Sequence, residues 1–388
     1  LLRLWPVYGG GETVTICLAN EMIKRGWNVS VLYFKNNTRP DLPFIDPAVK
    51  AVQIPDIRCD EFTTRFPDAD KVIGYLKEYI QENDIHYLVN QWWPVEYIRG
   101  IRGRYKTKIV TCLHQALYTP MIEGTGINGF LKKRCTSLYK FWKKRHSCRQ
   151  VTRFLPHTDK YIFLSPAFQH QYEQFANYKN TNSQLGAIPN PLVYPNEIRP
   201  EDLQSKEKSV LLVGRMVEIQ KRITRAIKIW SAIENDPRLD EWNFRIVGEG
   251  PDLAMYKQLA QTLGLKRISF EGFRNPQPYY KQAAIFMMTS AFEGFGMTLV
   301  EAQQCGVVPV VMDSYLSLHD IVETGYNGII VSNEDLTGYV NKIKELMTDT
   351  SLREKLAMNG LHSCRRFCVE EIVNNWEELF NDLSANRR

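Results

Sequence analysis

The second half of the sequence alternates short apolar, β-branched runs with segments of helical periodicity. Helices are expected at 223–234, 251–263 and 278–283, near Met297 and near Leu318. Strands that alternate with helices are typical of a parallel sheet with helices on both faces. The expected strands are SVLLVG from Ser209, NFRIVG from Asn243, RISFEGF from Arg267, AAIFMMTS from Ala283, VVPVVMD from Val307 and NGIIVS from Asn327.

The first half shows the same alternation less regularly and predicts a second doubly wound α/β sheet. Helices are expected at 12–25, ended by Gly26, and at 71–82. The stretch 188–209 is rich in proline and polar residues, as interdomain linkers are. The expected strands are LLRLW from Leu1, NVSVLYF from Asn28, a strand near Ala51, HYLVN from His86, KIVTCLH from Lys108 and KYIFLS from Lys160.

The sequence therefore predicts two Rossmann-like domains, at 1–193 and 194–368, with a C-terminal helix at about 369–385 that packs back on the first. Ligands of open parallel sheets bind beyond the carboxyl ends of the strands. Two such sheets that face each other direct those ends toward a shared space. We therefore expect the chemistry to lie in an interdomain cleft.

The composition is that of a soluble globular protein, with 44% apolar and 24% charged residues in a chain of 388. The longest apolar run, from Ala283, is too short to span a bilayer, and the first residues do not have the pattern of a signal peptide. We expect a cytoplasmic protein with a few residues before Leu1. The cysteines form no Cys-x-x-Cys pair, which indicates free thiols and no metal site.

One segment gives the chain its basic character. Residues 124–158 carry nine Lys and Arg and no acid, in a chain whose net charge is +6. A basic amphipathic helix in the stretch 126–153 indicates contact with an anionic membrane, but a solvated helix packed on its own domain explains the pattern equally well. A nucleic-acid interface is disfavoured, because no recognition motif accompanies the charge. The apolar residues at helical spacing are Leu131, Cys135, Leu138 and Trp142.

Charged residues and glycines occur where the predicted strands end. The loop GRMVEIQKR places Arg215 and Lys221 near a helix start, where they suit a diphosphate. His114 ends the strand KIVTCLH, at the edge of the sheet where ligands bind. The glycines at 9–11 follow the first strand and allow the backbone to approach a ligand.

The stretch SAFEGFGMTLVEAQQCG, from Ser290, places two acids around a glycine-rich turn. Glu293 precedes the turn, and Glu301 lies just inside the helix that the turn opens. Because a helix start favours anionic ligands, the turn alone does not explain why two carboxylates are placed there.

Together these elements resemble the retaining glycosyltransferases of family 4, which have the two-domain GT-B fold. The resemblance covers nearly the whole chain. It is carried by PVYGGGE, by HQ at a strand end, by IPNP before the linker, by GR followed by KR, and above all by EGFGMTLVEAQQCGVVPVV. It implies a hexosyltransferase-type enzyme that uses a nucleotide-diphosphate sugar, with UDP-sugar favoured over GDP-sugar, and that requires no cofactor and no divalent metal.

The resemblance also implies a role for each site residue. Glu301 holds the ribose hydroxyls of the donor, whereas Glu293 and His114 lie near its sugar. Arg215 and Lys221 stabilise the leaving diphosphate and, with Glu293 and His114, form the catalytic set. The residues implied in donor binding are Gly10, Gly11, Arg215, Lys221, Glu293, Gly294, Phe295, Gly296, Met297, Thr298, Leu299 and Glu301.

The acceptor implied is a glycan or a lipid-linked sugar, in bacterial polysaccharide or glycolipid biosynthesis. The enzyme would then act in the cytoplasm, either free or at the cytoplasmic face of the membrane. Two interpretations from other classes are a non-catalytic nucleotide-binding relative and the nucleic-acid-binding protein mentioned above. Loss of Glu293, Arg215 or His114 would mark the non-catalytic relative, and all three are present.

Overall fold

The structure, a computed structural model, describes residues 2, 4–5, 10–36, 44–55, 69–91, 93–103, 105–118, 136–194 and 198–385. The chain divides into two compact units. Leu1–Val193 and Val369–Arg388 form the first unit, and Tyr194–Cys368 form the second. In the described ranges, no helix combines the length and the apolar character that a membrane span requires.

The first unit is built from parallel strands and helices. Its strands are β1 (Leu4–Trp5), β2 (Ser30–Tyr33), β3 (Lys35–Asn36), β4 (Lys50–Gln53), β5 (Tyr87–Asn90), β6 (Lys108–Leu113), β7 (Lys160–Phe163) and β8 (Leu185–Ala187). The helices before residue 194 are α1 (Gly10–Lys24), α2 (Ala69–Glu82), α3 (Val95–Ile101), α4 (Thr136–Phe154) and α5 (Pro166–Ala176). The order β5-β6-β7-β8 forms one parallel sheet, and β1-β3 and β2-β4 form parallel pairs.

The boundaries of the first unit differ from the sequence expectations in two respects. Helix α1 begins at Gly10 rather than at Glu12, so Gly10 and Gly11 form its first turn; Gly9 lies outside the described residues. In addition, β3, α3, α5 and β8 lie where no element was expected. A signal for α5 was present, because Ser165 caps it by accepting a hydrogen bond from the amide of Ala167 and proline opens its first turn.

The second unit contains one sheet of six parallel strands. Its strands are β9 (Glu207–Val213), β10 (Asn243–Val247), β11 (Ile268–Gly272), β12 (Ala283–Met288), β13 (Val308–Asp313) and β14 (Ile329–Ser332). Its helices are α6 (Glu218–Lys221), α7 (Ile223–Glu234), α8 (Leu253–Thr262), α9 (Gln277–Gln282), α10 (Met297–Gln304), α11 (Leu336–Thr348) and α12 (Thr350–Ser363). The strand order is β11-β10-β9-β12-β13-β14, so the order reverses between β9 and β12.

This topology follows from the burial of the strands. Every residue of β12 is buried, and in β13 only Asp313 is exposed, as expected for central strands covered on both faces. The apolar core lies between these strands and helices α7 and α11, with Trp230 and Tyr339 fully buried. The carboxyl ends of β9 and β12 are therefore neighbours at the point where the strand order reverses, which is the usual ligand position in such sheets.

The helix expected near Leu318 is present as a short 3-10 helix, Leu316–Asp320. The side chain of Asn327 contacts the backbone directly after this helix. The side chain of Asn327 donates to the carbonyl of Ile321 at 3.0 Å and accepts from the amide of Glu323 at 2.7 Å. These bonds hold the backbone after Ile321 in a turn.

A last helix, α13 (Val369–Ala385), belongs to the first unit. Arg25 donates to Glu377 at 2.7 Å, and the indole of Trp27 donates to the same carboxylate at 2.8 Å. The ring of Phe380 stacks on Tyr87, with centroids 4.3 Å apart. Helix α13 thus covers one face of α1 and β5 and completes the core of that unit.

Candidate active site

Two loops of the second unit meet where β9 and β12 end. The hydroxyl of Thr289 donates to the carbonyls of Lys221 and Arg222, each at 3.1 Å. The amide of Ala291 donates to the carbonyl of Gln220 at 2.7 Å. These bonds attach the segment after β12 to the end of α6, so the side chains of both loops share one space.

Lys221 and Glu293 form an ion pair in this space. The ammonium nitrogen lies 2.6 Å from Oε1 of the carboxylate, and both side chains are at least 87% buried, with exposed fractions of 13% and 10%. Gln220 donates to the other carboxylate oxygen at 3.5 Å. A buried ammonium group needs an acidic partner of this kind. An anionic ligand that bound Lys221 would therefore share the ammonium group with Glu293.

Arg215 lies at the start of the same loop but is exposed. Its guanidinium donates to the side-chain oxygen of Gln220 at 3.4 Å. This is the one hydrogen bond of this guanidinium to a described residue, and it leaves several of the donors of Arg215 available to a ligand. Gln220 is thus placed between Arg215 and Glu293 and contacts both.

The Gly-Phe-Gly turn requires its second glycine. Gly296 has φ 102°, and a Cβ there would lie 3.2 Å from the hydroxyl of Tyr315. Helix α10 begins at the next residue, and the amide of Leu299 donates to the carbonyl of Gly296 at 2.8 Å. The amides of Met297 and Thr298 have no backbone acceptor in the part of the chain that the structure describes. They are therefore the amides that the helix offers to an anion.

The side chain of Ser317 is hydrogen-bonded to the backbone of this turn. Its fully buried hydroxyl lies 3.1 Å from the carbonyl oxygen of Phe295 and 3.3 Å from that of Gly294. The ring of Phe295 is buried and meets Phe367 edge to face, with centroids 5.4 Å apart. With the turn held in this way, its position depends on the 3-10 segment Leu316–Asp320 as well as on its own glycines.

Glu301 is a buried acid with a different kind of partner. Only 8% of the residue is exposed, and its Oε2 accepts a hydrogen bond from the hydroxyl of Tyr280 at 2.9 Å. Burial raises the pKa of Glu301 to about 7, and the Tyr280 hydroxyl and the Lys221 charge oppose that rise. The carboxyl group is therefore close to half ionised near neutral pH.

The predicted site residues of the first unit lie at the end of strand β6 and at the start of helix α1. His114 directly follows β6, and both of its ring nitrogens are shielded from solvent. Desolvation lowers its pKa to about 4, so the imidazole is neutral at pH 7. Gly10 and Gly11 lie in the first turn of α1, where the carbonyl of Gly11 accepts from the hydroxyl of Thr15 at 2.9 Å.

The sequence reasoning missed several residues that shape the site, among them Tyr280, Ser317 and Gln220. It also missed the loop after β10, where the amide of Met216 donates to the carbonyl of Glu249 at 2.7 Å. A Cβ on Gly248, whose φ is 137°, would lie 2.0 Å from the carbonyl oxygen of Gly214. The signal was the GEGP sequence directly after a predicted strand.

Profiles of two related families match the chain. The one described as Glycosyltransferase Family 4 matches residues 8–192, and the one described as Glycosyl transferases group 1 matches residues 194–362. The chain is a family-4 type glycosyltransferase. The expectation of a sugar-transferring enzyme is thereby confirmed.

Relatives of this glycosyltransferase differ in how much of their length it spans. An α-1,4-N-acetyl-D-galactosaminyltransferase of Campylobacter jejuni, whose name includes a PP-undecaprenol-linked glycan, is 21% identical over 97% of this chain and 96% of that protein. An exopolysaccharide phosphotransferase of Streptomyces coelicolor is 28% identical over 52% of this chain. The chain spans only 21% of the length of that second protein.

A solved structure similar to this glycosyltransferase is that of HepE from Anabaena in complex with UDP and glucose. The two chains are 18% identical, with a TM-score of 0.69 and 98% of each chain covered. This likeness, together with the parallel α/β units described above, confirms the expected GT-B fold class.

The described residues of this glycosyltransferase bring together no group of three His, Cys, Asp or Glu side chains that would hold a metal ion. The charges near the Gly-Phe-Gly turn are instead the ammonium of Lys221, the guanidinium of Arg215 and the two carboxylates. Amides and basic side chains bind phosphate groups, whereas carboxylates bind hydroxyl groups. The geometry can therefore accommodate a ligand that has both.

Proposed function

We propose that the chain transfers a sugar, with retention of anomeric configuration, from a nucleotide-diphosphate sugar to a glycan or lipid-linked acceptor. The observation that carries the proposal is the pair of buried carboxylates, Glu293 and Glu301, on either side of a helix start. A nucleotide sugar has its diphosphate between two hydroxyl-rich groups. This order matches the order of carboxylate, amides and carboxylate around the turn.

A UDP-sugar is the proposed donor, with a GDP-sugar as the alternative. HepE, with the same fold, was solved with UDP and glucose. In our proposal Glu301 accepts hydrogen bonds from the ribose hydroxyls through Oε1, because Tyr280 already contacts Oε2. The second unit is accordingly the proposed donor-binding domain, and the first unit is the proposed acceptor-side domain.

The diphosphate is proposed to bind the amides of Met297 and Thr298 together with Arg215 and Lys221. These groups balance the charge that the diphosphate gains as it leaves, so the proposal requires no divalent metal. The bond between the sugar C1 and the phosphate oxygen breaks, while the acceptor oxygen bonds to C1 on the same face. The acceptor proton passes to the departing phosphate oxygen, and Glu293 holds sugar hydroxyls.

The proposed setting is the assembly of a bacterial polysaccharide or glycolipid in the cytoplasm. The Campylobacter relative supports a lipid-linked acceptor, since its name includes PP-undecaprenol, and the Streptomyces relative is named for an exopolysaccharide. His114 remains in the proposal as a residue for the donor sugar on the resemblance alone. Its replacement, His114→Ala, is expected to reduce turnover and to leave the affinity for UDP unchanged.

The first test is a thermal-shift screen of the full chain with nucleoside diphosphates and nucleotide sugars. A ligand at a hundred times its Kd adds about 2.7 kcal/mol of stability, which gives a clear shift. UDP and one UDP-sugar are expected to stabilise the protein more than GDP and its sugars. If no nucleotide stabilises the protein, the proposed function is wrong.

Turnover of the stabilising donor is the second test, with and without EDTA. NMR of the product, or of the sugar released by slow hydrolysis, is expected to show the anomer of the donor, with the same rate in EDTA. An inverted anomer would reject the retaining mechanism. Complete loss in EDTA that magnesium or manganese restores would reject the role given to Arg215 and Lys221. Binding without turnover of any donor would favour the non-catalytic relative.

A further inference from the structure

One side of helix α4 (Thr136–Phe154) packs against the rest of the first unit. Cys148 and Val151 are buried on that side. The ammonium of Lys144 lies 4.4 Å from the centre of the Phe175 ring, so this lysine faces the protein rather than solvent. The packed side of the helix is therefore fixed from Lys144 onward. The outer face of α4 consists of exposed residues before and beside that side, namely Leu138, Phe141, Trp142, Arg145, Arg149 and Arg153.

The outer face of α4 exposes large apolar side chains. Leu138, Phe141 and Trp142 are 58%, 56% and 55% exposed. Phe141 and Trp142 follow Leu138 by three and four residues, so each lies next to it on the helix surface, and the rings of Phe141 and Trp142 meet edge to face at 6.1 Å. Such a cluster on a water-facing helix is typical of an interaction surface.

Basic residues continue the same face toward the end of the helix. Arg145, Arg149 and Arg153 follow Trp142 at helical spacing, and all three are exposed. None of them forms an ion pair with another described residue, and α4 contains no acid. The remainder of the chain outside 124–158 has slightly more acids than bases, so the net positive charge comes from this region. Leu131 and Cys135, also expected in the helix, lie outside the described residues.

We propose that this outer face binds an anionic phospholipid surface, with α4 lying in the plane of the membrane. Leu138, Phe141 and Trp142 would enter the boundary between headgroups and acyl chains, while Arg145 and Arg149 would bind lipid phosphates. The apolar residues favour a membrane over RNA. Leucine offers no stacking surface, and the two rings pack edge to face against each other rather than as separate platforms for bases.

The test is sedimentation of the full chain with vesicles, which needs neither donor nor turnover and so succeeds or fails independently of the proposed function. At low salt the protein is expected to sediment with vesicles of equal parts phosphatidylcholine and phosphatidylglycerol. Replacing Arg145, Arg149 and Arg153 with Glu is expected to reduce this partitioning more than about tenfold, and high salt is expected to have the same effect.

A matched control carries the same change of charge elsewhere. Lys228, Lys257 and Lys266 are exposed on the second unit, and their replacement with Glu is expected to leave partitioning within about a factor of two, since these residues are not on the outer face. The double variant Phe141→Ser and Trp142→Ser is expected to weaken binding even at low salt. Circular dichroism checks that each variant is folded.

Three results would overturn the proposal. The first is that the unmodified protein fails to sediment with anionic vesicles at low salt. The second is that the control triple variant loses as much binding as the α4 variant, which would show that only net charge acts. The third is that random-sequence RNA, measured by fluorescence anisotropy, binds through the same arginines while vesicles do not, which would make the surface a nucleic-acid interface.

Discussion

At the scale of single residues, Glu293 and Glu301 flank one turn but have different partners. An ammonium 2.6 Å away keeps Glu293 in a salt bridge, whereas a phenol contacts Glu301. A carboxylate whose charge is already balanced is suited to hold neutral hydroxyls near a reacting centre. In Glu301 the hydroxyl of Tyr280 contacts Oε2, and no hydrogen bond from another described residue reaches Oε1, which is left to bind a second hydroxyl.

Replacement of each of the two acids with glutamine should therefore affect UDP affinity and turnover differently. Glu301→Gln is expected to weaken UDP binding by about 1.5 to 3 kcal/mol, because it replaces hydrogen bonds to a charged acceptor. Glu293→Gln is expected to keep most of that affinity and to lose turnover, since its proposed partner is the sugar. Isothermal titration with UDP and a turnover assay measure the two effects. Glu334→Gln, at an exposed carboxylate paired with Arg225, is the matched control. Equal losses of UDP affinity in both site variants would contradict this division.

The pH dependence of donor binding should report the state of Glu301. Its pKa in the folded protein, about 7, lies above the ordinary value of 4.5, so the carboxyl binds a proton below about pH 7 and accepts ribose hydroxyls less well. Affinity for a nucleotide sugar is expected to rise through about pH 7 and then level off. Through the same group, the free energy of unfolding is expected to fall as the pH rises from about 4.5 to 7, because ionisation is costlier in the folded state.

Tyr280→Phe provides a specific check of this assignment. The Tyr280 hydroxyl stabilises the ionised carboxylate, so its removal is expected to raise the pKa of Glu301 further and to move the midpoint of the binding profile to higher pH. A nucleotide sugar is preferred to UDP as the ligand, since its phosphates do not titrate in this range. Glu301→Gln should abolish the midpoint. A midpoint that stays in place in Tyr280→Phe would show that another group titrates.

At the scale of elements, the 3-10 segment Leu316–Asp320 positions the Gly-Phe-Gly turn through Ser317. Ser317→Ala removes two contacts to buried carbonyls and is expected to lower the free energy of unfolding by about 1 to 3 kcal/mol. Because the turn presents the amides of Met297 and Thr298, affinity for UDP is expected to fall as well. Denaturant unfolding and titration measure the two losses. Ser351→Ala, at an exposed position in α12, should change neither. Full UDP affinity in Ser317→Ala would mean that the glycines alone hold the turn.

The alternation of strands and helices predicted most elements of the second unit, and its central strands, β12 and β13, are buried on both faces and read as continuous apolar runs. Helix α7 has the expected bounds, and β12 lies within the expected run from Ala283. The helix expected near Leu318 is the 3-10 helix Leu316–Asp320, and the bonds of Asn327 to the backbone after it are not visible in any local pattern. In the first unit β8 has three residues, too few for a periodic signal.

The sequence could indicate which residues carry charge near the turn but not how they pair. Lys221 and Glu293 are 72 residues apart and meet because β9 and β12 are neighbours in the sheet. Tyr280 reaches Glu301 from α9, and nothing in its own segment marks it as part of a site. Pairings of this kind depend on strand order and on side-chain direction, which a pattern along the chain does not contain.

At the scale of the whole molecule, the chain enters the second unit once and then returns to the first. The returning helix α13 contributes Trp376 and Phe380, both largely buried, to the core that it shares with β5 and β6. Its polar residues also act at that surface, since Glu377 accepts from both Arg25 and Trp27. The first unit should therefore depend on the C-terminal helix, although the second unit separates them in sequence.

Phe380→Ala should reveal this dependence without deleting the helix. Loss of a buried phenylalanine is expected to cost about 3 to 5 kcal/mol. Phe380 belongs to the first unit, so hydrogen exchange measured by mass spectrometry should accelerate in α1 and in β5 to β7 and remain unchanged in β9 to β13. UDP binding, which we assign to the second unit, should persist. Phe273→Ala, at a site that is 50% exposed, should leave exchange unaltered in both units. Equal acceleration in the two units, together with loss of UDP binding, would show that they unfold as one body and that α13 stabilises the whole chain.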